Sequence, residues 1–118
     1  MRLVGDTSAI TTPGQFVNIL LEGKFLRRPI SVCDCEDDEL TLVYKVVGGE
    51  TLDILTGLGN GYDLSDAGDA PLLLGGGVGV PPLYMLAKKL IEAGKKVSVV
   101  LGFNTADEIF YEEEFKAL

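Results

Sequence analysis

The sequence predicts a mixed α/β fold, in which a partial antiparallel β-barrel precedes the first βαβ unit of a parallel sheet. Before Asp69, short runs of β-branched and aromatic residues alternate with glycine-rich turns. After Asp69, a strand, a glycine loop, a helix and another strand follow one another. The length of 118 residues accommodates one ordinary domain or parts of two. We therefore expect a barrel portion at 1–68 and an α/β portion at 69–118.

The composition excludes several classes of function. Ten Lys and Arg stand against 18 Asp and Glu, so the net charge is −8 and the pI is near 4.4. This balance argues against nucleic acids and membranes as partners, and no apolar run reaches the roughly 18 residues of a membrane span. The absence of histidine excludes Ser-His and Cys-His catalysis and any histidine metal ligand. We expect a cytoplasmic protein with no metal site and no catalytic side chain of its own.

The two cysteines, Cys33 and Cys35, are too few for a disulfide framework or for a four-ligand zinc or iron–sulfur site. A reactive thiol needs an electropositive setting. Acidic residues surround these two instead, so we interpret both as ordinary strand or loop residues; the acidic neighbours are Asp34, Glu36, Asp37, Asp38 and Glu39.

Four runs in the first half have the composition of β-strands, namely Phe16–Leu21, 29–33, 39–46 and 51–55. The dipeptide Gly48-Gly49 lies between the last two runs. Because glycine accepts positive φ freely, it predicts a tight hairpin that joins them.

The second half reads as a βαβ unit. Residues 71–74 form a fully apolar run, as expected of a buried parallel strand, and 97–101 form the next strand. Between them, Pro81 suits the first turn of a helix, and Gly94 suits the position just after its end.

Helical periodicity assigns two faces to this helix. The core-facing residues are Leu83, Leu86, Ala87, Leu90 and Ile91, and the solvent-facing residues are Lys88, Lys89 and Glu92. Further along, Thr105 and Glu108 have capping-box spacing, which predicts a final helix through 112–115. The acidic run at 112–114 is typical of a solvated helix face.

The glycine loop at 75–79 between strand and helix has two interpretations. Glycines let a backbone approach a phosphate closely, and a helix N-terminus supplies free N–H groups and positive partial charge. The loop departs from the dinucleotide fingerprint, because Val80 stands at the third glycine position and no acidic residue ends the next strand. The alternative is a glycine turn that merely packs the helix against the sheet.

Arg27 and Arg28 precede the strand at 29–33 in a chain that has few cations. Paired guanidinium groups suit a phosphate or a carboxylate, and Ser31 could hydrogen-bond a heteroaromatic ring. The alternative is a pair of surface arginines that offsets the acidic excess.

Six segments in this order resemble the electron-transfer subunit of NAD-dependent (type B) dihydroorotate dehydrogenase, within the ferredoxin–NADP reductase superfamily. Single motifs are shared across the superfamily, whereas the continuation VGVPPLY and the string FYEEE look specific to the dihydroorotate enzyme. The segments are 13–16 (PGQF), 27–31 (RRPIS), 58–61 (LGNG), 75–84 (GGGVGVPPLY), 101–103 (LGF) and 110–115 (FYEEEF).

The resemblance implies an FAD-binding barrel followed by an NAD-binding domain, in a flavoprotein of pyrimidine biosynthesis. A partner catalytic subunit, in a heterotetramer, would oxidise dihydroorotate, and electrons would pass through a [2Fe-2S] cluster to FAD and then to NAD. The residues that would hold FAD are Arg28, Pro29, Ile30, Ser31, Val43, Tyr44, Lys45 and Gly48. Those that would admit NAD are Gly75, Gly76, Gly77, Val78, Gly79 and Pro81.

The chain departs from this family in three ways. The opening barrel strand is missing, so that 1–4 looks like an internal strand. A short helix that follows the Tyr44 strand in the family, and meets the FAD pyrophosphate, has no counterpart at 47–51. The cysteine-rich cluster-binding region is also missing. Two alternatives therefore stay open: an NAD(P)H-flavin or ferredoxin reductase module, and a non-catalytic remnant that serves as an interaction piece.

Overall fold

A five-stranded antiparallel sheet forms the first half of the protein. The computed structural model describes residues 1–21, 23–45 and 52–118. The sheet order is β1-β4-β3-β2-β5. The strands are β1 (Arg2–Val4), β2 (Phe16–Leu21), β3 (Arg28–Glu36), β4 (Glu39–Leu42) and β5 (Leu52–Leu58).

Strand β5 pairs with β2, on the far side of the sheet from β4. The predicted hairpin between the runs at 39–46 and 51–55 is therefore wrong, and β4 already ends at Leu42. Residues 46–51, with Gly48 and Gly49, lie outside the described residues. Sequence neighbours are the usual hairpin partners, but here the apolar edge of β2 takes β5 instead. The strand predicted at Phe16–Leu21 is confirmed.

A register shift in β3 between Val32 and Asp34 decides which way its side chains point. Such a bulge places an extra residue in one strand and reverses the alternation beyond it. Val32 and, past the bulge, Cys35 both pack in the core of the antiparallel sheet. Asp34 and Glu36 consequently point to the opposite face.

The second half is a βαβ unit. Strand β6 (Leu72–Gly76) pairs in parallel with β7 (Ser98–Gly102), and α1 (Pro81–Glu92) connects them after a 3-10 turn at Gly77–Gly79. Gly94, at φ 78°, ends α1: its N–H donates to the Ile91 carbonyl at 2.8 Å, and the Lys95 N–H donates to the Leu90 carbonyl at 3.0 Å. This is a Schellman motif, as the sequence predicts. The mixed α/β fold class is confirmed.

Helix α1 is buried on two faces. One face packs on the parallel strands through Leu83, Leu86, Ala87 and Leu90. The other contacts the antiparallel sheet, and Met85 joins the core of that sheet. The predicted single buried face is therefore incomplete: Ile91 is exposed, whereas Lys88 lies half-buried against β3.

The parallel strands are covered on one face. Leu73 is buried under α1, but Leu72 and Leu74 are 58% and 67% exposed, and Val100 beside them is also exposed. The prediction of a fully buried strand at 71–74 is thus wrong for the side chains opposite α1.

The predicted final helix forms only in part. A 3-10 turn (Ala106–Glu108) and α2 (Glu112–Lys116) are separated by residues that are not helical, and no side-chain cap forms at Thr105. Tyr111, at φ 63°, breaks the helix just before α2. The capping-box prediction is therefore wrong, whereas the acidic residues of α2 are exposed as predicted. Within the described residues, no helix has the length and apolar character to cross a bilayer.

Gln15 is a buried polar residue that ties two loops to β2, and it is 6% exposed. Its Oε1 accepts from the Thr11 and Thr12 backbone N–H groups at 2.7 and 2.9 Å. Its Nε2 donates to the carbonyls of Ala9, Gly57 and Gly59 at 3.3–3.4 Å.

We predict that Gln15→Leu lowers the free energy of unfolding by about 2 kcal/mol or more, because several partly buried backbone groups lose their hydrogen-bond partner. Urea denaturation measures this change as a lower midpoint at constant slope. Asn18→Leu, at a half-buried position in β2, is the matched control and should change stability by less than about 1 kcal/mol. Equal effects in the two variants would show that the Gln15 hydrogen bonds contribute little.

Cys33 lies at the contact between β3 and the start of α2, and it is fully buried. Burial raises the pKa of the Cys33 thiol to about 11, although a hydrogen bond with the Tyr111 hydroxyl acts in the opposite direction. Cys35, on the same strand, is partly exposed, and both cysteines are free.

We predict that iodoacetamide at pH 8 modifies Cys35 at least tenfold faster than Cys33 in the folded protein, because about a thousandth of Cys33 is thiolate. Mass spectrometry of tryptic peptides measures both rates. In denaturing urea the two rates should converge. Equal labelling of the folded chain would contradict the assigned burial.

Candidate functional site

Gly75 is a packing glycine. A Cβ at this position would lie 2.6 Å from Leu83 Cδ1 and 3.3 Å from the Gly79 carbonyl oxygen. The end of β6 and the first turn of α1 therefore approach too closely for a side chain. Close packing of the helix against the sheet is therefore sufficient to explain why residue 75 is a glycine.

The following loop residues face open space. Gly77 has φ +50°, and a Cβ at Gly77 or Gly79 would meet no atom within 4 Å. Val78 between them is 93% exposed. Gly76 has an extended backbone, and a Cβ at this position would lie 3.6 Å from the Gly102 carbonyl oxygen. A ligand could therefore reach the backbone at 77–79 without displacing any side chain.

The start of α1 supplies few hydrogen-bond donors. Pro81 and Pro82 occupy its first two positions and have no N–H group. The Leu83 N–H donates to the Val80 carbonyl at 3.1 Å, and the Val80 N–H donates to the Gly77 carbonyl at 3.1 Å. The expectation that free helix N–H groups bind an anion here is wrong across residues 80–83. Donors to a ligand would have to come from the loop before Val80.

The start of β3 carries the two arginines. In the described part of the chain, Arg27 and Arg28 form no ion pair, although acidic residues are in excess. Arg28 and Pro29 are exposed, Ile30 packs on the core, and Ser31 is half-buried. Two unpaired guanidinium groups beside a hydroxyl fit an anionic ligand that carries an aromatic ring.

The third predicted group lies past the end of β4. Val43 is half-buried, and Tyr44 is 42% exposed with its hydroxyl 3.7 Å from Met1 Sδ. Lys45 Nζ forms an ion pair with Glu108 at 3.5 Å. These residues are therefore not part of a strand, and Lys45 already has a carboxylate partner. Gly48 lies outside the described residues.

The contact between helix α1 and strand β3 relates two of the predicted groups, the glycine loop before α1 and the residues at the start of β3. Lys88 contacts Asp34, and Tyr84, one turn nearer the helix start, lies beside Cys33 and Asp34. Both elements thus run in the same direction. Pro81 precedes Lys88 by about 10 Å of helix, and Ser31 precedes Asp34 by about 10 Å of strand. The glycine loop and the start of β3 therefore lie towards the same end of this contact, whereas Tyr44 contacts Met1 and Lys45 contacts Glu108.

Beside this contact lies an acidic cavity of about 220 Å³. Burial, and then the charge of Asp34, raise the pKa of Tyr84. Burial also raises the pKa of Tyr111 above its ordinary value, with the hydrogen bond to Cys33 acting in the same direction. Both phenols stay protonated at neutral pH. The cavity is lined by Arg2, Asp34, Glu36, Glu39, Thr41, Tyr84, Tyr111 and Glu114.

Sequence reasoning missed Lys88, Tyr84 and Tyr111 as structural neighbours of the site. One signal was available: residues 81–87 form seven consecutive uncharged positions. A helix that is apolar on all sides is buried on all sides, so α1 should have been predicted to have two packed faces.

The cysteines do not converge on a cluster site. Cys33 contacts Tyr111 on one side of β3, whereas Cys35 packs towards the core on the other. In the part of the chain that the structure describes, no group of three or more His, Cys, Asp or Glu could hold a metal ion. These residues therefore do not fit an iron–sulfur cluster.

Several known proteins with similar sequences carry the same name. Residues 73–118 match the family model of the oxidoreductase NAD-binding domain. The electron transfer subunit of dihydroorotate dehydrogenase B (NAD(+)) from Fusobacterium nucleatum is 45% identical over 98% of this chain and 52% of its own length. The subunit from Bacillus cereus strain B4264 is 46% identical over 90% of this chain and 48% of its own length. The chain thus spans about half the length of these curated relatives.

The alignment with the Bacillus pumilus subunit contains the whole chain yet runs over 137 positions. The 118 residues of this chain leave 19 of those positions without a counterpart. This chain is therefore shorter than its relatives within the aligned region.

Solved structures show the same fold. The structure of an NADH-dependent reduced ferredoxin-NADP oxidoreductase, described for flavin-based electron bifurcation, has a TM-score of 0.77 and 38% identity, over 94% of this chain and 45% of that one. A ferredoxin reductase of carbazole 1,9a-dioxygenase, at 23% identity, has a TM-score of 0.74 over 98% of this chain and 40% of that one. The resemblance inferred from the sequence is confirmed: over 90% or more of its length this chain is similar to dihydroorotate dehydrogenase B electron transfer subunits, at 43–46% identity, and it has the fold of the ferredoxin–NADP reductases.

Proposed function

We propose that this chain is an electron-transfer flavoprotein unit of dihydroorotate dehydrogenase B, which passes electrons from dihydroorotate oxidation through FAD to NAD in pyrimidine biosynthesis. The observation that carries the proposal is that α1, which follows the open glycine loop, packs along β3, whose start carries two arginines that form no ion pair within the described residues. The homologues that bear this name support it.

FAD would be held by the start of β3. Arg28 would pair with the pyrophosphate, and residues 29–31 would border the ring, with the Ser31 hydroxyl as a hydrogen-bond partner. Tyr44 would contact the cofactor from the segment after β4. Bound there, the flavin would supply the exchange between two-electron and one-electron transfer. The protein side chains bind and orient it and are not themselves oxidised or reduced.

NAD would approach through the glycine loop. The backbone at Gly77 and Gly79, which carries no side chain and faces open space, would let the nicotinamide approach the flavin. Pro81 and Gly76 would fix the ends of the loop, and Gly75 would seat it against α1. We propose the division into portions at 1–68 and 69–118 on the same basis, since each portion would hold one of the two cofactors.

The partner would be the catalytic subunit that oxidises dihydroorotate, in a heterotetramer that also carries a [2Fe-2S] cluster. The name of the relatives as electron transfer subunits supports such a partner. The two free thiols suit the reducing cytoplasm, where we place the protein.

The 19 positions that this chain lacks bear on FAD affinity. We propose that they correspond to the pyrophosphate-binding helix expected after Tyr44. Without that helix, the pyrophosphate would rely on the arginines at the start of β3. Loss of either guanidinium should therefore weaken FAD binding strongly.

A second candidate is a ferredoxin or flavin reductase module, favoured by the 38% identity to a ferredoxin-NADP oxidoreductase. The two functions differ in their partner, because a free reductase needs no dihydroorotate-oxidising subunit. Affinity capture with a purified catalytic subunit distinguishes them: retention supports the first, and loss together with NADH-driven ferredoxin reduction supports the second.

We predict that the purified chain binds FAD and that Arg28→Ala weakens the affinity roughly 10- to 100-fold, as expected for one charge-assisted hydrogen bond. Titration of flavin fluorescence measures the dissociation constant. Arg2→Ala, at an exposed arginine paired with Glu39, is the matched control and should leave the affinity within twofold. A wild-type chain that neither binds FAD nor is stabilised thermally by FAD or NAD would instead be the non-catalytic remnant.

We predict that Gly79→Ala folds normally and binds FAD but slows NADH oxidation roughly tenfold, because the new methyl group fills the open approach to the loop. Stopped-flow reduction of the FAD-loaded protein by NADH gives the rate. Gly5→Ala, where a Cβ also meets no atom within 4 Å, is the control and should keep the wild-type rate. An unchanged rate in Gly79→Ala would exclude the loop as the nicotinamide approach.

A further inference from the structure

We propose that Lys88 is a positioning residue, which fixes the orientation of the glycine loop relative to the FAD-binding start of β3. The inference deepens the proposed function and rests on it. It assigns a role to a side chain that lies about 10 Å along α1 from Pro81, and whose partner Asp34 lies about 10 Å along β3 from Ser31.

Lys88 joins the two halves of the protein through three charge-assisted contacts. Its Nζ donates to both carboxylate oxygens of Asp34, at 3.0 and 2.9 Å, and to Glu36 Oε1. The Lys88 and Asp34 side chains are only 16% and 18% exposed. Partial burial lowers the pKa of the Lys88 ammonium, but the hydrogen bonds to Glu36 and Asp34 together raise it above its ordinary value.

The surroundings allow this ion pair to form in one arrangement. Glu36 and Glu114 line the same acidic cavity, and Arg2, which also lines it, is already paired with Glu39 at 3.5 Å. If α1 slid or rotated by one position, the ammonium would leave its partners and Asp34 would remain partly buried without a cation. Breaking a buried pair in this way is strongly unfavourable.

The apolar part of the contact is less selective. Met85 inserts into the core of the antiparallel sheet, but methionine is unbranched and adapts to several packings. A buried ion pair often contributes little net stability, and its best-attested use is to fix register. We therefore infer that Met85 attaches α1 to the antiparallel sheet and that Lys88 fixes the angle between the helix and that sheet.

The angle matters because α1 carries the loop at its start. Pro81 lies about 10 Å along the helix from Lys88, so a tilt of about 10° at the ion pair would displace the loop by roughly 2 Å. A misplacement of about 1 Å between reacting groups can cost about 100-fold in rate. FAD affinity, in contrast, depends on β3 and should not respond.

The test compares Lys88→Met with Lys89→Met, the neighbouring lysine, which pairs with Glu92 on the exposed side of the same helix. Lys88→Arg restores a cation, and Asp34→Asn is a milder second variant should Lys88→Met fail to fold. Residual dipolar couplings of backbone amides report the orientation of α1, β6 and β7 relative to β2–β4. Flavin fluorescence gives the FAD affinity, and stopped-flow reduction by NADH gives the rate.

We expect couplings from both halves of the wild-type chain and of Lys89→Met to fit one alignment tensor. In Lys88→Met the two halves should need different tensors, the FAD affinity should stay within twofold, and the rate should fall at least tenfold. Lys88→Arg should recover most of the rate. Wild-type couplings with a wild-type rate in both Lys88→Met and Asp34→Asn would overturn the proposal.

A wild-type chain that binds no FAD would refute the proposed function, and the couplings alone would then decide whether Lys88 sets the orientation. An unchanged single tensor with a reduced rate would also overturn the proposal, because Lys88 would then act by charge.

Discussion

Two-sided burial of α1 is the constraint on which the other features depend. Leu83, Leu86 and Leu90 cover the parallel strands, while Met85 enters the core of the antiparallel sheet. At about 25 cal/mol per Å² of apolar surface, each such side chain contributes roughly 1.5–3 kcal/mol. Separating the helix from either the parallel strands or the antiparallel sheet would therefore cost several kcal/mol. Everything attached to its start, including the glycine loop, takes its position from this packing.

The glycine loop combines a packed side and an open side. Gly75 allows the strand to touch the helix, and the prolines begin α1 without adding donors that would need partners. Gly77 and Gly79 leave the outer surface clear. The packing interpretation of the loop therefore accounts for Gly75, whereas ligand binding at Gly77 and Gly79 stays a prediction. A loop that is packed against α1 on one side and open on the other suits a ligand that approaches the backbone closely without forming ion pairs.

The sequence predicted those features that depend on local patterns. The strand Phe16–Leu21 follows from a local run of strand-forming residues, and the end of α1 follows from Gly94, which accepts positive φ. The pairing of β5 with β2 could not be predicted, since any apolar strand edge can accept an unpaired strand. The positions of Asp34 and Glu36 depend on a bulge that has no composition signature. Lys88 was misassigned because a lysine on a helix is usually solvated, and its carboxylate partners lie more than fifty residues away.

The features of Asp34, Glu36 and Lys88 that the sequence did not predict all concern the contact between α1 and β3, and they share one physical reason. The two proposed ligand groups lie on separate parts of the fold, so their relation is set by tertiary contacts and by no local motif. Motifs predict which residues can bind, because binding chemistry is local. Relative placement depends on Met85, on the bulge in β3 and on the partners of Lys88, which touch neither proposed ligand. In the electron transfer proposed for this chain, such residues would control the rate as directly as those that contact the cofactors, since the rate depends on the separation of the two cofactors.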